Sequence, residues 1–342
     1  MIRSVTASAP TRVDFAGGTL DIYPLYLFFN GGKTINAAID LDAKVWLTGR
    51  TDDRIVIRSR DTGATLDWDG PADSLPGDGP LALITRVLRY YRPAGGLTVE
   101  TQLLPPHGSG LGASSALFVA LSHAVLAYID PTKPRDPERI IRLSNVLEAQ
   151  LMGLPAGMQD YYPPTYGGLC AVHYDLEGVW VEALDPDGSL LPELQHNLIV
   201  SYTNITHHSG TTNWSYMRNF FDGVASTREA LGHIKQVAEG FYSAFKARDL
   251  REIGRLLDEE WQLRRGLSDE VTTPAIDTMM IATRQAGAWA NKLCGAGGGG
   301  CMLTLAPPEA HTAVIAALEA TGATHLNAHL VPHGVEVQVT EE

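Results

Sequence analysis

The sequence predicts an α+β fold in two domains, on three observations. Its 342 residues are more than one ordinary core holds. Strand and helix signals are mixed in both halves, unlike the alternation of a doubly wound parallel sheet. A stretch rich in turn formers, Asp185 to Gly188, separates the halves and sets the expected domains at residues 1–187 and 188–342.

In chain order, residues 34–39, 44–48 and 55–58 are apolar runs between turn signals and are predicted strands. Residues 81–91 read as a helix and 97–103 as a strand, which Pro105 and Pro106 stop. A Gly-rich loop leads into a strongly apolar helix over 113–129. Asp136 as N-cap and Pro137 in the first turn open a helix to about Met152, with Gly153 as its stop. Gly167-Gly168 introduces a strand over 169–173. The second half opens with a strand over 197–202. Ser226 and Glu229 then form a capping-box pattern heading a helix to about Arg248. Helices are expected over 250–267, from Thr273-Pro274 to Gly287, and over 309–321. Strands are expected over 301–305 and 335–339.

Composition narrows the function. The formal net charge of −13 repels a phosphate backbone, which excludes nucleic acid as a partner. A local phosphate loop remains compatible with it, with Mg²⁺ offsetting the charge. Three cysteines, Cys170, Cys294 and Cys301, make no disulfide framework. Cys170 and His173 lack a second pair at a zinc-like interval. Residues 1–11 lack the apolar core of a signal peptide, and no stretch of about 18 apolar residues could span a membrane. The expectation is a cytoplasmic chain, in which the sequons at Asn204 and Asn213 carry no glycan.

Five motifs carry chemistry. In Pro105-Pro-His-Gly108-Ser-Gly110-Leu-Gly112-Ala-Ser114-Ser115, three glycines at alternate positions allow close backbone approach. The helix behind them adds its positive end, which makes an anion site suited to a polyphosphate. No Gly-Lys-Ser/Thr closes this loop, so it is not a Walker A motif. Ala113 in place of a glycine excludes the dinucleotide fingerprint. Read alone, it also fits a Gly/Ser linker. The second motif, Asn291 to Cys301, holds five glycines between a helix and a strand, which points to unusual backbone angles or close ligand approach rather than packing. In the third, Asp160 lies in a loop of small residues among aromatics and could accept a hydroxyl proton. The fourth places Arg12 and Asp14 on one face of a strand, with Asp21 after a Gly17-Gly18-Thr19 turn. The fifth is Glu148, a carboxylate beside the apolar stripe of its helix, which needs a partner such as Mg²⁺. Trp68 reads as a packing residue or an adenine platform, and His207-His208 as surface or substrate histidines.

Together and in this order, these motifs resemble the GHMP kinase superfamily. The Gly17 to Asp21 turn, Gln159-Asp160-Tyr161 and His207-His208-Ser209-Gly210 resemble its sugar-kinase branch, which holds the D-glycero-D-manno-heptose 7-phosphate kinases and galactokinase. The resemblance implies an N-terminal ATP-binding domain like domain 2 of ribosomal protein S5 and a ferredoxin-like C-terminal domain, with the active site between them. It implies Asp160 as catalytic base with Arg12 beside it. It implies ATP phosphates on the Gly108, Ser109, Gly110, Leu111, Gly112, Ala113, Ser114 and Ser115 loop, with Mg²⁺ on Ser114 and Glu148. Asp21, Gly18, Thr19 and Gly297 are its expected substrate contacts. Ala113 stands where the family loop has its first serine, so the choice between Ser114 and Ser115 stays open. The expected reaction moves the γ-phosphoryl group of ATP to a hydroxyl, the anomeric one, of a small sugar or sugar phosphate. A homodimer is compatible with the sequence. The competing readings are a mevalonate-type kinase, a decarboxylase of the isoprenoid branch, and a sensor that binds sugar and ATP without turnover.

Overall fold

A computed structural model describes residues 2–206 and 209–341, with the backbone alone for 209–211. In chain order the first half holds β1 (Arg3–Ala16), β2 (Gly32–Gly49), β3 (Arg54–Ser59), β4 (Thr65–Asp69), α1 (Ala82–Tyr91) and β5 (Leu97–Leu103). It continues with α2 (Ala113–Ile129), α3 (Pro137–Met152), α4 (Tyr162–Tyr166), β6 (Leu169–Tyr174) and β7 (Val179–Ala183). The second half holds α5 (Leu190–Gln195), β8 (Leu198–Tyr202), α6 (Ser209–Phe221), α7 (Ala225–Ala247), α8 (Leu250–Arg265), α9 (Pro274–Gln285), β9 (Ala290–Leu293) and β10 (Cys301–Leu305). It ends with α10 (His311–Ala320), β11 (Thr324–Leu326) and β12 (Glu336–Glu341).

Among the described residues the strands form two sheets, of eight and of four. The first runs β12-β1-β2-β5-β3-β4, with β6 and β7 added at one end of β2. All its pairs are antiparallel except β3 with β5. β2 is the organising strand: its first half pairs with β6 and its second half with β5, while β1 runs beside both. Two strands were expected over 34–48, and one of 18 residues is found. Asp40 and Asp42 look like turn formers, yet the strand continues through them with a bulge, residues 40–42 standing opposite Pro10 alone. Their carboxylates accept from the His329 N–H and the Ser8 hydroxyl, so neither aspartate needs a turn. The second sheet is antiparallel, in the order β11-β8-β10-β9. That order, with helices on the chain between its strands, matches the ferredoxin-like expectation. Mixed helices and sheets in both halves give the α+β class.

α2 is apolar on every side, and every residue from Ser115 to Val125 is buried. It forms the centre of the first core, between the first sheet and helices α1 and α3. A second core joins β1, β2 and β6 to α7, α8, β8 and β10. A third lies over the far side of the small sheet, beneath α6, α9 and α10. Asp136 accepts from the Arg139 N–H, and Thr273 from the Ile276 N–H, as N-caps should. The expected capping box at Ser226 is corrected: α7 starts earlier, on Val224, with no side-chain cap. The last strand returns to the first sheet, where Arg3 stands opposite Glu341.

Candidate active site

The Gly-rich loop lies between β5 and α2. Gly108, Gly110 and Gly112 all have positive φ, between 67° and 71°. At Gly110 a Cβ would come within 2.6 Å of the Cys294 carbonyl. At Gly112, which caps α2, it would lie 3.5 Å from the Asp160 carboxyl carbon. The loop is thus pressed between the second half of the chain and Asp160, and only glycine fits that approach. No side chain caps α2, so its first-turn N–H groups remain available to an anion.

Arg12 and Asp14 share a face of β1, as their alternation predicts, with Arg12 Nη1 3.7 Å from Asp14 Oδ1. The buried Arg12 donates from Nε and Nη2 to Oδ1 of Asp160, at 2.8 and 2.7 Å, and from Nη1 to the Gly110 carbonyl. Burial opposes its charge, but Asp160 and Asp14 more than compensate and raise its pKa. Both donors fall on one oxygen of Asp160, so the other has no hydrogen-bond partner among the described residues. Asp160 was expected in an irregular loop. It lies instead in a short 3₁₀ turn, Gln159–Tyr161, that fixes its direction.

Below the loop, the Ser115 hydroxyl donates to Glu148 Oε2 at 3.0 Å, the Tyr161 hydroxyl donates to the same oxygen, and Ser114 lies close enough to favour the ionised carboxylate. Burial pushes the Glu148 carboxyl up, against these hydrogen bonds. Ser115 is buried, whereas Ser114 and Glu148 are half-buried; all three line the cavity. One carboxylate and two hydroxyls at the foot of a phosphate loop fit Mg²⁺, a hard ion that takes protein oxygens together with phosphate oxygens. Among the described residues no cluster of three or more His, Cys, Asp or Glu could hold a metal alone.

Beside Asp160, Asp21 is buried and accepts from the Gln159 N–H at 3.1 Å. Burial, helped by the charge of Asp160, pushes its carboxyl up to about 6. Thr19 has a φ of 79°, unusual for a β-branched residue, and its hydroxyl donates to Asn213 at 3.0 Å. The Gly18 carbonyl accepts from Arg264 at 2.9 Å. Gly18, Thr19 and Asp21 all line the cavity. Gly297 does not: a Cβ there would lie 2.8 Å from the Val271 side chain, so its role is packing. Gly300 is similar, with a Cβ position 2.6 Å from the Ser109 carbonyl. The second glycine tract therefore serves close approach of the chain to itself, and only Gly295 and Ala296 reach the cavity. His207 and His208 lie outside the described residues.

These groups share one cavity of about 830 Å³. Its far end is lined by Ser59, Asp61, Leu81, Ile84, Leu103 and Pro105, a mostly apolar slot of the kind that holds a base. Trp68 is not part of it; its indole N–H donates to Ser74 at 3.1 Å and its ring packs on the first core.

A family model for the GHMP kinases N terminal domain matches residues 81–168, and one for GHMP kinases C terminal matches residues 241–324, together about half of the chain. The chain belongs to the GHMP kinases. Among curated GHMP relatives, D-glycero-alpha-D-manno-heptose 7-phosphate kinase of Campylobacter jejuni is 27% identical over 323 residues, 93% of this chain and 94% of that one. A mevalonate kinase of Thermococcus onnurineus is also 27% identical, over 98% of both chains. A crystal structure of D-glycero-D-manno-heptose 1-phosphate kinase from Bacteroides thetaiotaomicron superposes with a TM-score of 0.81 at 25% identity, covering 99% of this chain and all of that one. The N-terminal GHMP model spans the Gly loop, Glu148 and Asp160, whereas Arg12 and Asp21 lie outside both models.

Several site residues stood inside motifs or outside them with no role assigned from the sequence. Lys292 is fully buried and donates to Asp14 at 2.5 Å; its place at the head of a glycine tract was visible, its partner was not. Arg264 is buried on α8 and paired with Glu260 at 3.0 Å, a spacing that usually marks a solvated helix face. Asn213 and Gln159 line the cavity as ordinary-looking amides.

Proposed function

We propose that this chain transfers the γ-phosphoryl group of ATP to the anomeric hydroxyl of a sugar phosphate, with a heptose 7-phosphate as the first candidate. The observation that carries it is the Arg12–Asp160 pair seated against Gly112, with Asp21 lining the same cavity and bonded to the neighbouring Gln159 N–H. In this reading the N–H groups of residues 108–115 hold the ATP phosphates. Asp160, gripped on one oxygen by Arg12, aligns the acceptor hydroxyl with its other oxygen and takes its proton late in the transfer. Arg12 also faces the charge that develops on the moving group. Ser114 and Glu148 would hold Mg²⁺, which neutralises phosphate charge when bound; Ser114 is favoured over Ser115 because it is the less buried hydroxyl. Asp21 holds a sugar hydroxyl. The heptose-phosphate kinases among its relatives support the sugar-phosphate acceptor. Residues 1–187 would carry the nucleotide and 188–342 would close the acceptor side. Three free, buried cysteines suit the reducing cytoplasm. No helix among the described residues is long and apolar enough to cross a membrane.

The test is ADP release with Mg·ATP across galactose, fucose, mannose, heptoses, their 7-phosphates and mevalonate. A strong preference for a heptose 7-phosphate, with the product position read by NMR, supports the proposal. Turnover of mevalonate alone moves the chain to the second reading, which the Thermococcus relative favours. Tight ATP binding with no turnover supports a sensor.

A further inference from the structure

The acceptor wall holds an amide whose side chain makes no hydrogen bond among the described residues. Gln159 is 7% exposed and lines the cavity, yet its Oε1 is fully buried without a partner, and its Nε2 has none among the described residues. Among the described residues only its backbone is engaged, the N–H by Asp21 and the carbonyl by the Tyr162 N–H. Buried polar side chains are as a rule hydrogen-bonded, so an idle amide beside a cavity marks a place for a ligand group.

A second observation locates that place. A Cβ built on Gly18 would lie 3.1 Å from Gln159 Nε2, 3.1 Å from Arg264 Nη2 and 3.8 Å from Asp14 Oδ2. Three polar side chains from three separate segments thus meet over the Cα of residue 18, where any side chain would crowd the amide and the guanidinium. The cradle suits a hydroxyl rather than a phosphate. Arg264 is committed to Glu260 and the Gly18 carbonyl, and Asp14 would repel a dianion. Burial works against the Asp14 charge, but Lys292, Arg12 and Arg264 keep its carboxyl below its ordinary value. A hydroxyl can donate to one group and accept from another, which matches an amide.

We propose that Gln159 is the acceptor-specificity residue of this kinase: with Arg264 above Gly18, its amide binds a second hydroxyl of the acceptor, distinct from the one attacked at Asp160. The proposal rests on the sugar-acceptor reading above. The probes are D-glycero-D-manno-heptose 7-phosphate and its 2-, 3- and 4-deoxy analogues. In the native enzyme one analogue is expected to lose about 10- to 100-fold in kcat/KM. Gln159→Leu should lose a similar factor on the parent and nothing further on that analogue, because the same contact is already gone. Gly18→Ala, which fills the cradle, should raise the acceptor KM while the ATP KM stays constant. Native-like parent kinetics in Gln159→Leu, or an equal loss on every analogue, overturns the proposal. If Gln159→Leu no longer binds a fluorescent ATP analogue, the isosteric Gln159→Glu replaces it in the same comparison. If the native enzyme ignores the heptose 7-phosphate, the acceptor reading fails separately, and the deoxy series of whichever sugar does turn over decides the role of Gln159.

Discussion

Asp160 and Asp21 face one cavity, and their surroundings divide the work between them. Asp160 receives two N–H groups from Arg12 on one oxygen and is 28% exposed. Asp21 is buried without a cation of its own, and its carboxyl is pushed up to about 6. A carboxylate gripped by a guanidinium and one raised by burial suit different roles. Asp160→Asn is expected to lower kcat by about 100-fold or more with ATP binding intact, as read by single-turnover kinetics and nucleotide titration. Asp21→Asn separates stability from function. In the unfolded chain this carboxyl ionises near 4, so above that pH the folded protein must hold an unfavourable charge or take up a proton. The amide removes that cost and can still accept from Gln159. Its melting temperature at pH 7 should exceed the native one by about 2–5 °C, a gap that narrows as pH falls to 4. Acceptor KM should rise in the same variant. Tyr161→Phe removes a donor to Glu148 without touching the cavity wall. The apparent Mg²⁺ requirement should increase about 10-fold, with kcat recovered at high Mg²⁺ and the melting curve without Mg²⁺ little changed.

At the scale of elements, the two glycine tracts interlock. The Ser109 carbonyl accepts from the Cys301 N–H at 2.6 Å, and the Gly110 and Cys294 backbones are in contact. Gly300→Ala would set a Cβ 2.6 Å from the Ser109 carbonyl, at a φ of 82°. The phosphate loop must then shift, so ATP KM is expected to rise about 10-fold or more, against a smaller change in acceptor KM. Calorimetric ATP binding measures this directly. How legible such elements were depended on what holds them. β5, α2 and β10 were readable to the residue, because their own apolar patterns and flanking Pro and Gly define them. β9 was not: Ala290–Leu293 includes Asn291 and the buried Lys292, whose partners Thr304 and Asp14 lie far along the chain. β4 and β7 were missed because each has only an alternating, half-exposed face. The motif residues Arg12, Asp14, Asp21, Glu148 and Asp160 were legible as types, whereas Gln159 and Arg264 acquire meaning only from what stands opposite them.

Across the whole molecule, one buried ion pair ties the two sheets together. Lys292 on β9 of the small sheet donates to Asp14 on β1 of the large one, and both side chains are fully buried. The other Asp14 oxygen accepts from the Gly295 N–H at 2.8 Å, so the same carboxylate fixes the start of the second glycine tract. Removing the ammonium leaves Asp14 buried with its nearest cation gone and only the more distant Arg12 and Arg264 to balance it. Loss of one partner of such a pair costs about 3–5 kcal/mol, more than the pair itself contributes over an apolar replacement. Lys292→Met should therefore lower the urea midpoint sharply. Its kcat should fall as well, because an unpaired Asp14 competes with Asp160 for Arg12. Adding Asp14→Asn removes the stranded charge, so the double variant should regain a large part of the stability and some of the activity. If Lys292→Met unfolds at the native midpoint, or if the double variant is no better than the single one, the pair is not what couples the sheets. The coupling would then rest on the apolar core shared by β1, α7 and β8.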